Sequence, residues 1–338
     1  MKHDTSPSAL PYGPFLGGLG VLAVLVFGAS LLIGPVSISP LEGWQALGGD
    51  DTNLLTLVLQ EIRFPRAILG AAVGAILGLS GAVLQGLLRN PLADPGLLGI
   101  SASASLGAVI ALYSGLAALH IFALPVAALT TATLAVSLII LLVGRSFDIL
   151  TIILAGVALT SLAGALTSLA LNLSSDPFAA LEIVFWMMGS LTDRSMDHVF
   201  LSLPFIMAGG VLLFATARAL DALSLGHDVA TSLGINLKRT RTLAIFGTAI
   251  GVGAATAVSG AIGFVGLVVP HVLRPLVGNR PSHLLPASAL GGAIFLMTTD
   301  ILVRVILPGK DLKLGVMTAM VGAPFFLWLL YSLKRRAV

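Results

Sequence analysis

The sequence predicts an all-α, polytopic membrane protein with about ten transmembrane helices and both termini in the cytoplasm. Three observations carry this reading: an apolar composition, a succession of hydrophobic runs of spanning length, and basic residues unevenly divided between the two sides of those runs. Of 338 residues, 57% are hydrophobic and only 10% charged, and the mean hydropathy is +1.04. A soluble domain of this length needs far more charge to cover its surface. Cysteine is absent, which excludes disulfide frameworks, thiolate metal sites and cysteine nucleophiles. A pI near 9.5 invites a nucleic-acid reading, but the basic residues stand in short clusters between apolar runs, as in the cytoplasmic loops of a membrane protein.

A helix crosses the hydrocarbon core with about 20 apolar residues, and shorter spans survive when buried among neighbours. The polar start, Met1 to Tyr12, lacks a small-residue cleavage site after a short apolar core, so the run from Phe15 to Pro35 reads as a retained first helix, span 15–36. The second span, 64–88, places Gly70, Gly74, Gly78, Ala82 and Gly86 at every fourth position, which lines one helix face with almost no side chain and lets another backbone approach. Further spans follow at 95–115, 118–143, 149–173, 199–218 and 242–263. The eighth, 264–277, is short and broken by Gly263, Gly266 and Pro270, which points to a place inside the bundle. Spans at 284–306 and 313–333 complete the set. The polar stretches 36–63, 174–198 and 219–241 are too short to fold alone, so residues 15–333 form a single membrane domain between a cytoplasmic tail, 1–14, and a basic tail, 334–338.

Ten spans put both termini on one side, and charge decides which. Lys2, Arg89, Arg145, Arg218, Lys238, Arg239, Arg241, Arg274, Arg280, Lys334, Arg335 and Arg336, twelve of the eighteen basic residues, fall on the side of the termini. Ten of the fifteen acidic residues, from Glu42 to Asp311, fall on the other. The positive-inside rule makes the terminal side cytoplasmic.

Enzymatic chemistry is missing. The one Gly-Lys pair, Gly309-Lys310, is followed by Asp311 and has Arg304 where a P-loop has its first glycine, so no ATP site is visible and the chain reads as a non-enzyme. Gly251-Val252-Gly253-Ala254-Ala255 begins like a dinucleotide fingerprint, yet Thr256 replaces the last glycine inside a span, so helix packing is the reading. The six histidines are scattered, and neither a protein metal site nor a cofactor is expected. Mid-span carboxylates and histidines, the relays of ion-driven carriers, are sparse. Asp300 and Arg304 come nearest, four apart on the outer half of the ninth span. Two readings stand for them: an i, i+4 ion pair at the outer surface, or an Arg304 that gates or docks a partner.

The longest cytoplasmic loop, 219–241, reads as two short surface helices separated by Gly226 and closed by Gly234 at a helix C-cap position. It is either an amphipathic connector or a feature that receives force from outside the membrane.

At this loop and in four ordered blocks the chain resembles the FecCD family, the permeases of type II ABC importers for iron chelates, haem and cobalamin. The blocks are RFPR (Arg63 to Arg66) with SGAVLQGLLRNPLADPGLLGIS (Ser80 to Ser101), WMMGSL (Trp186 to Leu191), GAIGFVGLVVPHVLRPLVG (Gly260 to Gly278) with LLPASALGGA (Leu284 to Ala293), and LGVMTAMVGAPFFLWLL (Leu314 to Leu330). Two loops depart from the family pattern: Asp311-Leu312-Lys313-Leu314 replaces an acidic-apolar-Pro-Val run, and Arg280-Pro281-Ser282 replaces an Asp-His-Arg run.

The resemblance implies an inner-membrane permease that works as a homodimer, with two copies of a cytoplasmic ATP-binding subunit below and one periplasmic or lipid-anchored substrate-binding protein above. It carries ATPase coupling onto Leu225, Gly226, Ala230, Leu233 and Gly234. Binding-protein docking falls on Arg63 and Arg66, with Arg304 as a third candidate, as exposed cations that steer and register the contact. An iron chelate, most often a ferric siderophore, is the expected cargo, with haem or cobalamin as the alternative within the same machinery. An ion-gradient-driven carrier is the alternative of another class. Ser101, Ser103, Ser105 and Asn172 are candidates for the translocation path, against the plainer reading that hydroxyls in membrane helices bond their own backbone.

Overall fold

In a computed structural model the chain is helical, with no strand among the described residues, which are 10–35, 38–47, 54–120, 122–143, 149–174, 177–306 and 312–337. Several charges used above, Lys2, Arg145, Lys310 and Asp311 among them, lie outside the described residues. The principal helices are α1 (Tyr12–Leu32), α2 (Pro40–Leu47), α3 (Phe64–Leu87), α4 (Ile100–Tyr113), α5 (Ala123–Val143), α6 (Ile149–Leu173) and α7 (Pro177–Met187). After these come α8 (Met196–Phe214), α9 (Ala217–Ser224), α10 (His227–Ser232), α11 (Leu237–Ser259), α12 (Val265–Leu273), α13 (Pro281–Ile306) and α14 (Leu314–Ala337).

Seven described helices are long and apolar enough to cross a membrane: Tyr12–Leu32, Leu54–Leu87, Ala123–Leu142, Leu150–Leu173, Met196–Ser224, Leu237–Ser259 and Pro281–Ile306. Three shorter apolar helices, Ile100–Tyr113, Val265–Val277 and Leu314–Leu329, fall on the third, eighth and tenth expected spans. The third is short for a local reason. Asp94 caps a 3₁₀ turn at Pro95–Leu98, and Gly99 takes a left-handed conformation, φ 68°, before the helix begins at Ile100. The second expected span is longer than read, because Leu54–Leu57 continues into α3 through a π-helical turn, Val58–Arg63. Pro65 has no N–H for a carbonyl one turn back, and beside it Phe64 N–H reaches Leu59 O, one residue further than in an α-helix.

The core centres on α3, which packs most extensively against α13 and then against α11, α12 and α8. The small-residue stripe of α3 makes this contact. A β-carbon on Gly74 would overlap the Gly292 carbonyl, one on Gly78 the Ser288 carbonyl, and one on Gly292 the Gly74 carbonyl. The two backbones therefore touch with no side chain between them. A second group, α4, α5 and α6, packs onto α11 and leaves much of α6 exposed.

The expected seventh span begins and ends early, since α11 runs from Leu237 to Ser259 and the chain continues non-helically through 260–264 before α12. Gly260 at φ 69° opens this segment, and Phe264 closes it in the left-handed region, also at φ 69°, where a residue with a side chain is strained. Val265 to Pro270 and Leu273 are buried, so the broken stretch lies inside the bundle, where such backbone is tolerated only with its polar groups met by the protein. Ser190 N–H donates to Ser259 O at 2.7 Å. Pro270 cannot donate to the Gly266 carbonyl one turn back, and the buried Gln85 of α3 does so instead, its Nε2 lying 3.2 Å from Gly266 O and 3.4 Å from Leu267 O. Arg274 fixes that amide in turn, with Nη2 at 2.7 Å from Gln85 Oε1.

Candidate functional site

Three regions collect the candidate residues. At the expected outer face, α3 and α13 bring Arg66, Asp300 and Arg304 together. Arg66 lays its Nε–Nη2 edge on the Asp300 carboxylate, with Nε 2.9 Å and Nη2 2.7 Å from Oδ1. Arg304 approaches from the next turn of α13, Nη2 to Oδ2 at 2.8 Å. The i, i+4 pair expected at the surface is buried, with the Asp300 side chain 2% and Arg304 7% exposed. Arg63 is buried as well. The expectation of three exposed cations is therefore corrected: these arginines are engaged inside the chain.

What holds Arg63 and Arg304 is the end of α1. The last carbonyls of a helix have no partner within it and carry the negative end of the dipole. Arg63 Nη1 donates to Leu31 O at 2.9 Å and Leu32 O at 2.8 Å, and Arg304 Nη1 to Ser30 O at 2.9 Å and Ile33 O at 3.1 Å. Arg304 Nη2 adds the Ser30 hydroxyl at 2.6 Å. The sequence shows the Asp300–Arg304 spacing but not that Arg66 pairs with the same carboxylate, because no local pattern joins residues 234 apart.

At the opposite end, α9 and α10 form the expected pair of short helices. Gly226, at φ 128°, makes the corner between them and Gly234, at φ 76°, ends the second. Leu225, Val229 and Leu233 recur every fourth residue and are 68%, 43% and 63% exposed, while Ala230 is fully buried beneath them. The result is an apolar ridge facing away from the bundle; Val229 joins it although the sequence reading left it out. Asp221 of α9 anchors the pair, accepting from Ser282 N–H at 2.8 Å and Arg280 Nε at 3.2 Å at the start of α13. The loop is thereby tied to the helix that touches α3 backbone to backbone.

Between these ends, Ser101 lies beside Thr256, whose Oγ1 is 3.4 Å from Ser101 Oγ. Ser101 also lines a cavity of about 100 Å³ with Asp94, Leu77, Gly266 and the unwound residues Ala261, Ile262 and Gly263. Burial pushes the Asp94 carboxyl up from the usual range, against the Gly96 N–H that favours its charged form. Ser103 and Ser105 are buried between helices. Asn172 stands apart near the end of α6, exposed, its Nδ2 donating to Ser168 O at 2.9 Å, so it bonds its own helix. It nonetheless belongs to a pattern: Ser161, Gly164, Ala165, Ser168 and Asn172 form one exposed face of α6, while Leu150, Leu154 and Val157 continue that face in the other half of the helix. The structure does not bring Asn172 to the Ser101 cavity; a helical period in the hydroxyls of α6 was the signal that would have found the stripe. Among the described residues no cluster of three or more histidine and acidic side chains stands ready for a metal.

The FecCD transport family model matches residues 22–332. The chain is 40% identical over 302 residues to an uncharacterized ABC transporter permease protein, YvrB, of Bacillus subtilis, covering 87% of this chain and 84% of that one. It is 37% identical to the hemin transport system permease protein HmuU of Yersinia pestis, covering 93% and 94%. Among solved structures it is similar to one described as an inward-facing conformation of a metal-chelate type ABC transporter, with TM-score 0.84, 31% identity, and coverage of 95% of this chain and 99% of that one.

Proposed function

The chain belongs to the FecCD transport family, and from that premise we propose that it is the permease subunit of an ABC importer that carries an iron chelate, a ferric siderophore, from periplasm to cytoplasm. It is a multi-pass protein of the inner membrane and a transport component, not a catalyst. Energy enters from a separate ATPase. The observation that carries this reading is the exposed ridge Leu225, Val229 and Leu233 on a loop that Asp221 ties to α13. Apolar side chains displayed towards water at a membrane's edge ask for a partner. Through Asp221 and the glycine contact of α13 with α3, a push on the loop reaches the bundle as a rigid-body shift rather than as loop deformation. Leu225, Gly226, Ala230, Leu233 and Gly234 then form the ATPase contact, with Val229 added.

Ten spans are the count we favour, the three short apolar helices being sheltered by the longer ones, with both termini cytoplasmic on the distribution of basic residues. Two copies of the chain enclose the path. Hydroxyls and an amide pointing out of a bundle into hydrocarbon are costly, so the Ser161, Ser168 and Asn172 face of α6 supports a position on that path or against the second copy. Ser101 touches it at the unwound segment; Ser103 and Ser105 support the packing of α4. Arg63, Arg66 and Arg304 meet a substrate-binding protein on the outer side.

Alternating access follows from these parts: closure of two ATPase subunits moves the loops, and the helices exchange an outward for an inward opening. The same machinery carrying haem or cobalamin is the second reading, favoured by relatives named for hemin and for vitamin B12 at 37% and 35% identity. Uptake of radiolabelled ferric siderophores, haem and cobalamin in cells with and without the chain separates them. Loss of siderophore uptake alone supports the first reading; loss of only haem or cobalamin uptake replaces it with the second.

A further inference from the structure

We infer that Asp300 is an internal counter-ion which a docking partner's carboxylates replace, so that docking on the outer face releases the end of α1. The inference rests on the reading above that Arg66 and Arg304 meet the binding protein, and goes beyond it in assigning Asp300 and α1 a part.

Available donors decide what a partner can bind. A guanidinium grips a carboxylate best through two parallel N–H bonds from one edge. The Nε–Nη2 edge of Arg66 is taken by Asp300, at 2.9 and 2.7 Å. Every nitrogen of Arg304 is committed: Nε to the Asp300 carbonyl at 3.3 Å, Nη1 to Ser30 O and Ile33 O, and Nη2 to Asp300 Oδ2 and Ser30 Oγ. A partner carboxylate cannot be gripped two-fold by Arg304 without displacing one of these. Two guanidiniums share this one carboxylate. The pair therefore keeps one positive charge in excess, which favours an acidic partner and makes the exchange one of like for like.

Displacement has a mechanical consequence because the last carbonyls of α1 depend on these arginines for their donors. Leu31 packs that end against Leu59 and Ala67, but the Ser30 to Ile33 carbonyls are met chiefly by Arg304 and Arg63, with Ile38 N–H added at Leu32 O. When Arg304 turns to a partner, two of those four carbonyls lose their donor and the outer end of α1 loosens from α13. Asp300 is thus a positioning residue: it touches neither cargo nor partner, and it sets how readily the docking arginines are given up.

The experiment uses the permease with its ATPase in lipid nanodiscs and the importer's own substrate-binding protein as the probe. On the wild-type complex, docking should speed hydrogen exchange of the amides from Ser30 to Gly34, as the α1 end is released. Asp300→Asn, which keeps shape but removes the competing charge, should tighten docking by about tenfold or more, the scale of coupling between close interfacial charges. Arg66→Ala and Arg304→Ala should weaken it, and more so at low salt. If the arginine variants weaken docking while Asp300→Asn leaves it unchanged and the α1 amides stay protected, the exchange is refuted and the docking reading stands. If the arginine variants dock as the wild type does, the docking reading fails and the exchange with it. The wild-type exchange measurement decides the matter even if Asp300→Asn does not fold.

Discussion

Gln85 offers the sharpest test of how the broken span is held. Replacing it with leucine preserves most of its volume but removes the donor that serves the Gly266 carbonyl and the acceptor that fixes Arg274. A buried carbonyl left without a donor costs about 1–3 kcal/mol, and a lost bond to a charged group about 1.5–3 kcal/mol. The sum is roughly 2.5–6 kcal/mol, which at about 2–4 °C per kcal/mol lowers the apparent melting temperature by on the order of 10 °C. Thermal unfolding of the purified protein in detergent, followed by loss of the monodisperse chromatographic peak, reads it. Gln85→Glu keeps the Arg274 partner and loses the donor, and should fall between. The mechanism has its own signature, because Pro270→Ala supplies the N–H whose absence gives Gln85 its task. In the Pro270→Ala background the cost of Gln85→Leu should shrink by about 1 kcal/mol or more, a coupling of the kind contacting residues show. A Gln85→Leu shift under about 2 °C, or strictly additive effects of the two substitutions, would mean that Gln85 does not stand in for the N–H that Pro270 lacks.

Other expectations follow from the same geometry. Gly78→Leu puts a branched side chain where the Ser288 carbonyl lies; the cost exceeds the ~1–3 kcal/mol of ordinary overpacking, because a backbone must move, and folded protein recovered from membranes should fall to near zero. Leu233→Asp alters only an exposed side chain, so the melting temperature should move by less than about 2 °C while co-purification of the ATPase and uptake are lost. Asp221→Asn weakens the tie between α9 and the start of α13; ATPase binding should persist while ATP hydrolysed per molecule imported rises several-fold in proteoliposomes. Ser168→Phe fills the polar face of α6 without touching the core, and should abolish uptake with a normal melting profile.

Most of the architecture was legible in the sequence because its causes are local. The seven long helices announce themselves by apolar length, the Gly70 to Gly86 stripe by its period, and the broken stretch by Gly263, Gly266 and Pro270. The partner of the stripe was not legible: Gly292 and Ser288 mark α13 only once the two helices are side by side. Residue-level roles were read less fully for the same reason. Asp300 and Arg304 are one turn apart and could be paired on sight, yet their burial depends on Arg66 and on the end of α1, both distant in sequence. Gln85 stands in a recognisable motif, but nothing along the chain says that it answers for a proline nearly two hundred residues later. The paired short helices of the loop 219–241 were readable from Gly226 and Gly234, which fix their corners, whereas Val229 needed the three-dimensional ridge. On α6 the hydroxyl period was present in the sequence, and attention to Asn172 alone passed over it.

The source of the energy separates an ATP-driven importer from an ion-driven carrier. Transport of the chelate into proteoliposomes holding the permease and its ATPase, with the binding protein outside and ATP inside, tests this most directly. An ATP-driven importer gives uptake that requires ATP, is stopped by vanadate and is indifferent to a proton uncoupler. Uptake by the permease alone, driven by an imposed ion gradient and abolished by the uncoupler, would contradict it.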